Sequence, residues 1–288
     1  MKNNILIKTI LFFTIILLCF SCIKDLNSDI SGGDNLLVVN ATLCPDSAIS
    51  LVVSKSKNVL DETKTEYINN ALIYVYESNK LIDTLRNKGN GLYLSSLKPS
   101  INKPYSIKVK AINNDELEAT DTIPERVNIL NIDTFVVNNK LSRLLNCAIN
   151  IADPINKSNF YLLKILSSNK TGFKNIQAQK YTCYDPMIMN VDVIDSLAGG
   201  NIIFFNDSKF NGETHSVLIS MLYPKNRIVY VQLWSISQAF YNYCFSIASN
   251  RANNSGLFSE KTQVRSNIKG GLGIMGAYSI STDSISIE

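Results

Sequence analysis

Short stretches in which apolar and polar residues alternate recur along most of the chain, and turn-forming residues separate them. From Tyr105 to Ala111, aromatic or aliphatic residues occupy every second position and serine or lysine lies between them. Residues 71–76 read ALIYVY and lie between the pairs Asn69-Asn70 and Ser78-Asn79. A period of two is typical of a half-buried strand, and asparagine-rich pairs favour tight turns. The sequence therefore predicts an all-β fold.

The first 25 residues have a different character. An apolar run from Ile5 to Phe20, broken only by Lys8, Thr9 and Thr14, is followed by Ser21 and Cys22. A small residue directly before a cysteine at the end of such a run is typical of a bacterial lipoprotein signal. We predict that residues 1–21 are a signal peptide, that Cys22 carries the lipid and that residues 22–34 form a tether. The alternative is a retained anchor, although a spanning helix needs about 20 apolar residues and this run is shorter.

Two segments follow the tether. Residues 35–125 contain a series of short strand-like stretches, which is typical of an immunoglobulin-like β-sandwich. Residues 126–288 contain longer strands and one helical stretch at 237–250, with Ser237 as its N-cap. This combination predicts an antiparallel domain that is β-barrel-like or a strongly curved sheet.

Two connections in the second segment also carry predictions. Residues 217–222 and 227–234 are predicted to form a hairpin through the turn at 223–226, which contains Pro224. Residues 168–200 read as a long irregular connection, and such loops in compact domains are often functional.

Composition excludes several kinds of partner and site. The net charge is +4 with no block of lysine and arginine, so a nucleic-acid partner is not expected. His215 is the one histidine and no C-x-x-C pair exists after Cys22, so no metal site is predicted. After Cys22 four cysteines remain, and they are compatible either with one or two disulfides or with buried free thiols. These are Cys44, Cys147, Cys183 and Cys244.

No motif in the sequence predicts catalysis or nucleotide binding. Residues 271–276 read GLGIMG, but a dinucleotide site needs a helix to begin there, and strand-like residues follow instead. The glycines are predicted to allow a positive φ or a close backbone approach. His215 is predicted to lie at the surface or at a strand end. The acidic residues of the second segment are predicted to be solvated loop charges, because their spacing matches no calcium loop; these are Asp185, Asp192, Asp195, Asp207 and Glu213. We therefore predict no catalytic residue, no cofactor and no enzymatic activity.

One patch in the long connection is a candidate contact surface for a partner. It combines aromatic and sulfur-containing side chains that would favour a partner contact if exposed; its members are Tyr181, Tyr184, Met187 and Met189. A second aromatic cluster spans a strand end and the predicted helix, and core packing is its simpler explanation. Its members are Trp234, Phe240, Tyr241 and Tyr243.

Four stretches together resemble one known family. They are the lipoprotein signal, VVNA at 38–41, NALIYVY at 70–76 and SNIKGGLGIMGAY at 266–278. The sequence resembles the Bacteroidota outer-membrane lipoproteins catalogued as domain of unknown function 4249, with Met275 where that family usually has phenylalanine. The resemblance implies a lipid-anchored protein of the outer membrane, on the cell surface, of the kind encoded beside TonB-dependent transporters. It implies no catalytic residue.

The expected function is therefore that of a non-enzymatic accessory or binding subunit of a TonB-dependent nutrient-uptake system. The alternative is a structural or adhesive cell-surface lipoprotein without a small-molecule ligand.

Overall fold

The computed structural model describes residues 36–57, 63–111, 116–138, 142–170, 176–188, 193–195, 201–253 and 263–288. These residues form eighteen β-strands and one α-helix, so the predicted all-β class is confirmed. None of their helices has the length and apolar character needed to cross a membrane. The predicted signal peptide, Cys22 and the tether lie outside the described residues.

The first unit is a β-sandwich of two packed sheets. One sheet has the order β1 (Leu37–Leu43), β2 (Ser50–Lys55), β6 (Leu92–Leu94) and β5 (Arg86–Gly89). The other has the order β4 (Lys80–Thr84), β3 (Leu72–Glu77), β7 (Pro104–Lys110) and β8 (Glu116–Thr122). Alternate side chains of both sheets, such as Val39, Ile73 and Ile107, are buried between them. The period of two in the sequence thus separates the core face from the solvent face.

The second unit packs a four-stranded sheet against a larger one. The four-stranded sheet has the order β13 (Thr182–Cys183), β16 (Thr214–Leu222), β10 (Arg143–Ala152) and β9 (Ile129–Asn138). The larger sheet continues through β14 (Val193–Asp195), β15 (Asn201–Asn206), β11 (Phe160–Asn169), β17 (Arg227–Ile236) and β18 (Leu272–Ser286), with β12 (Gln177–Ala178) beside β11. Ile149, Tyr161 and Val217 are fully buried between the two sheets. The described strands form open, packed sheets rather than a closed barrel.

Strand β18 belongs to both units. Its first part pairs in parallel with β1, where Val38 lies opposite Leu272 and Leu43 opposite Ala277. Its second part pairs antiparallel with β17, from Tyr278 onwards. One continuous ten-stranded sheet therefore runs through both units. The last strand of the chain completes the core of the first sandwich, which the predicted boundary at residue 125 does not anticipate.

The predicted hairpin across residues 217–234 is wrong. Strand β16 pairs with β10 and β13, whereas β17 pairs with β11 and β18, so the two strands lie in different sheets. The amide of Tyr223 donates to the carbonyl of Arg143 at 3.0 Å, which keeps the turn on the β10 side before the chain crosses over. Strong alternation in two neighbouring stretches identifies strands, but it does not decide whether they pair with each other.

The predicted helix is confirmed as α1 (Gln238–Asn253). The hydroxyl of Ser237 accepts a hydrogen bond from the amide of Phe240 at 3.2 Å, as an N-cap does. The helix packs on the outer face of the larger sheet, where Cys244 and Ala248 contact a third apolar cluster with Leu162. Strand β11 is consequently buried on both faces, and Lys164 is the one charged residue in its sequence FYLLKILSSN.

The four cysteines among the described residues are free thiols. Cys44, Cys147 and Cys244 are buried and Cys183 is half-buried. Burial raises the pKa of the Cys147 and Cys244 thiols to about 12. Of the two arrangements that the sequence left open, the structure has the buried thiol rather than the disulfide.

Candidate functional site

An open cavity of about 260 Å³ lies between the segment before β14, strand β15 and helix α1. It brings an exposed methionine, aromatic rings, an amide and one ammonium group to a single surface. Its lining residues are Met187, Ile188, Phe204, Phe205, Asn206, Ser208, Lys209 and Tyr241. The surface that it exposes is divided between polar and apolar atoms, and a concave surface of this mixed kind can accept a ligand or a partner segment.

Tyr241 forms the helical wall of this cavity. Its ring centroid lies 4.9 Å from that of Phe160 and 6.0 Å from that of Phe204, the latter edge-on. The amide of Asn206 donates to the Tyr241 hydroxyl at 3.4 Å. Phe245, one turn along the helix, stacks at 6.3 Å and is 43% exposed. Tyr241 is therefore fixed by packing against the buried Phe204, and Phe245 beside it is open to solvent.

A pair formed by the buried Asp185 and the half-buried His215 fixes the opposite wall. One oxygen of Asp185 lies 2.8 Å from Nε2 of His215, and the other accepts the amide of Met187 at 2.9 Å. The His215 ring stacks on Phe210 with 4.2 Å between centroids. Because Asp185 is 1% exposed, its two bonds hold the turn that presents Met187. The pair positions a surface turn, and Met187 itself is 45% exposed.

The structure separates the four residues of the predicted contact patch. Tyr184 and Met187 are exposed, at 39% and 45%. Tyr181 is buried, and its hydroxyl donates to the carbonyl of Leu163 at 2.6 Å, so its side chain belongs to the core. Burial also raises the pKa of the Tyr181 phenol, which therefore remains a donor. Met189 lies outside the described residues.

The members of the second aromatic cluster have two different roles, packing between elements and lining of the cavity. The ring of Trp234 stacks on Tyr278 with 4.5 Å between centroids, and Phe240 packs beside the same tyrosine at 6.1 Å. These contacts join β17, β18 and the helix, so packing accounts for them. Tyr241 alone of this cluster lines the cavity.

Sequence reasoning did not identify Asn206, Ser208 and Lys209 as site residues. They lie at the end of β15 and in the turn after it, and no pattern links them to Met187, since the pairing of β11 with β15 brings them there. A hydrophilic turn directly after the apolar strand IIFF was the one available signal.

The prediction that the acidic residues are solvated loop charges is wrong for two of them. Asp185 and Asp207 are buried. The Asp207 carboxylate accepts the amide of Asn159 at 2.8 Å, and nearby Asp153 accepts the amide of Gly212 at 2.9 Å and the hydroxyl of Tyr161. Buried backbone donors need acceptors, and these carboxylates supply them. The side chain of Asp195, and the whole of Asp192, lie outside the described residues. Among the residues that the structure describes, no three histidine, cysteine or acidic side chains form a group that could hold a metal ion.

The glycine-rich stretch lies in β18 and opens no helix. Gly273 has φ of +108°, and a Cβ built there would lie 2.1 Å from the carbonyl oxygen of Val39. The prediction of a positive φ with a close backbone approach is therefore confirmed.

One protein family matches this chain. The family model described as "Domain of unknown function (DUF4249)" matches residues 23–284. No curated protein matches. Among solved structures, the chain is similar to the Fcho1 Mu homology domain of Danio rerio with bound Eps15 peptide. The two share 8% identity over 85% of this chain and 92% of that chain, with a TM-score of 0.21. A likeness at that score supports no inference about this chain.

Proposed function

We propose, on the premise that this chain belongs to the family of the domain of unknown function DUF4249, that it is a non-enzymatic accessory or binding subunit of a TonB-dependent uptake system. It would be held at the outer membrane by lipid on Cys22 and would face the cell surface. Two acyl chains or more on one cysteine give stable anchoring, so the protein would stay beside a membrane-embedded partner.

The cavity between Met187 and Tyr241 is the observation that supports a binding role. Methionine and aromatic side chains contribute adaptable apolar contact area, and both kinds are enriched where proteins bind partners. Met187 is exposed, yet its turn is fixed by the buried Asp185 and its partner His215. A fixed apolar surface loses little conformational freedom when it binds.

Lys209 indicates what chemistry the site would accept. It is exposed and lines the cavity beside Ser208 and Asn206, opposite the aromatic wall of Tyr241. A ligand or partner loop with an apolar or aromatic body and one carboxylate or other anionic group could contact both the aromatic wall of Tyr241 and the ammonium group of Lys209. The proposed occupant is such a segment of the partner or of its substrate.

A mild-detergent pull-down of the full-length chain from native outer membranes tests this proposal. We expect a TonB-dependent barrel to co-purify with the wild-type chain and to be lost with Cys22→Ala. We also expect the double variant Met187→Asp/Lys209→Glu to retain the anchor but to lower recovery of the barrel by about tenfold, which corresponds to about 1.4 kcal/mol of binding free energy.

Leu81→Asp is the matched control, because Leu81 is 50% exposed on the first sandwich and lies outside the cavity. It should leave recovery unchanged. Recovery of the lipoprotein alone from wild-type membranes would contradict the accessory role and favour a structural or adhesive surface protein. Equal recovery with the double variant and with Leu81→Asp would show that the cavity is not the contact.

A further inference from the structure

Strand β9 forms an open edge of the second sandwich. It pairs with β10 on one side, and in the part of the chain that the structure describes no strand pairs with its other side. The start of the strand lies against β18, where the amide of Ile129 donates to the hydroxyl of Ser281 at 3.3 Å, and the edge is open from Ile132 onwards. Four of its apolar side chains are exposed: Leu130 and Phe135 at 55%, Val136 at 39% and Val137 at 40%. Natural edge strands are usually protected by lysine, proline or short length. This one has ten residues with neither lysine nor proline.

The pairing of β10 determines which backbone groups of β9 point outwards. Arg143 accepts the amide of Tyr223, so Arg143 and every second residue after it direct their backbone groups towards β16. The residues between them bond to β9, where Val137 and Phe135 are partners. The alternate residues of β9 therefore direct both N–H and C=O away from the sheet. In the regular stretch after the bulge at Leu130, these are Ile132, Thr134, Val136 and Asn138.

We propose that this edge pairs antiparallel with the same edge of a second copy of the chain, about a two-fold axis between the two Phe135 side chains. In this register Thr134 lies opposite Val136 of the partner subunit, and Ile132 opposite Asn138 of the partner subunit. Symmetry repeats both pairs, so every outward backbone group from Ile132 to Asn138 finds a partner. Phe135, the one aromatic residue of the strand, is then covered by Phe135 of the partner subunit. Such aromatic pairs stabilise antiparallel strands.

Charge disfavours the registers in which the axis moves towards Asp133. Asp133 is the one charged residue of β9, and the amides of Asn131 and Asn150 hold it at 3.0 and 2.8 Å. Moving the axis to Thr134 would place the Asp133 carboxylate against the Phe135 ring of the partner subunit. Moving it once more would oppose the two Asp133 carboxylates directly, and like charges in that position repel.

The size of the contact sets the conditions for association. Seven paired residues span about 23 Å of strand. This is a small interface beside the roughly 800 Å² per partner that stable complexes bury. We therefore expect a dimer where the chains are concentrated, as on one membrane, rather than one that survives dilution.

Cysteine cross-linking of the full-length chain in membranes tests the register. Two directly opposed residues have Cβ atoms about 5 Å apart, which a disulfide needs only a small adjustment to bridge. Phe135→Cys should therefore give a disulfide-linked dimer under mild oxidation. Val137→Cys is the matched control, because it is exposed on the same face, yet its two copies would lie about 13 Å apart along the strand. The wild-type chain, with its own cysteines, reports the background.

A second measurement does not depend on a new cysteine. Two differently tagged full-length copies are co-expressed, and one tag is captured. Val136→Lys adds a charge beside the outward backbone groups and should abolish recovery of the second copy. Leu222→Lys changes a residue that is 65% exposed on β16, two strands away, and should leave recovery unchanged.

Strong cross-linking of Phe135→Cys with background levels for Val137→Cys supports the proposal. Equal cross-linking of the two variants, or none in either, overturns it. So does undiminished recovery of the second copy with Val136→Lys. Because all four positions are exposed, matching thermal unfolding of the variants and wild type confirms that folding is intact.

Discussion

The carboxylate of Asp121 accepts a hydrogen bond from the hydroxyl of Ser237 at 2.5 Å, and this contact joins the two sandwiches at the start of the helix. The same carboxylate oxygen accepts the amide of Ala277 from β18 at 2.9 Å. Ser237 in turn caps the helix through the amide of Phe240. One side chain at the end of β8 thus fixes the strand that both units share and the first turn of α1.

The position of Asp121 predicts a pH dependence of stability. Burial raises its pKa from 3.8 to about 6, although its hydrogen bonds oppose the shift. The folded chain therefore binds this proton more tightly than the unfolded chain does. The free energy of unfolding should rise as the pH falls through about 6 and gain about 2 kcal/mol by pH 4 from this group, with the full gain of about 3 kcal/mol reached below the unfolded pKa.

Urea denaturation of wild type and Asp121→Asn between pH 4 and 7.5 isolates that contribution. The variant keeps an acceptor oxygen but cannot titrate. We expect the difference in unfolding free energy, wild type minus variant, to increase as the pH falls. Two parallel pH profiles would contradict the prediction.

The Asp185–His215 pair should stabilise the turn that carries Met187. Asp185→Ala leaves the half-buried His215 without its partner and the Met187 amide without its acceptor. We expect a loss of about 2–4 kcal/mol in unfolding free energy. Amide exchange at Met187 and Ile188 should increase more than in the core strands.

Asp133→Ala is the comparison for this effect. Asp133 also accepts two side-chain hydrogen bonds, but on the exposed strand β9. We expect a loss of about 1 kcal/mol or less there. Similar losses for the two alanine variants would show that burial of Asp185 is not what matters.

Two glycines with positive φ should respond very differently to alanine. Gly273 has φ of +108°, and its added Cβ would lie 2.1 Å from the carbonyl oxygen of Val39, within the β1–β18 pairing. Gly89 has φ of +94° but nothing within 4 Å of its added Cβ. Gly89→Ala should cost about 1–2 kcal/mol from backbone strain alone, whereas Gly273→Ala should cost about 4 kcal/mol or more. Equal midpoints in chemical denaturation would contradict this difference.

Thiol labelling should distinguish the four cysteines by their surroundings. Thiolates react and thiols do not, and burial raises the pKa of Cys147 and Cys244 to about 12. We expect iodoacetamide at pH 8 to modify neither of them in the native protein and to modify both in denaturant. Cys183, which is half-buried, should react first of the four. A disulfide found by mass spectrometry between any two of them would contradict the free-thiol arrangement.

Local features of the sequence predicted the elements well. The alternation at residues 105–111 became β7, and the cap at Ser237 marks the start of α1. The Ser78-Asn79 pair became a tight β3–β4 hairpin with φ of +48° and +69°. Each depends on residues within one turn or one strand, so no knowledge of distant partners was needed.

Burial of polar side chains was harder to predict. Asp185 and Asp207 read as loop charges, because acidic residues in irregular segments are usually solvated. They are buried because the backbone amides of Met187 and Asn159 need acceptors where the turns pack against the sheets. Tyr181 likewise became a core residue through its bond to Leu163, which lies on a strand 18 residues earlier.

The sequence by itself determined the all-β class, most strands, the single described helix and its cap, and the need for a flexible backbone at Gly273. These follow from side-chain periodicity and backbone sterics, which are local. Only the tertiary structure decided that β18 serves both sandwiches, that β16 and β17 lie in different sheets, and that Met187 meets Tyr241 at one cavity. Those outcomes depend on which strands pair across 38 to 234 residues of the chain. The free energy of such pairing is set by the packed faces of whole sheets rather than by any one stretch of sequence.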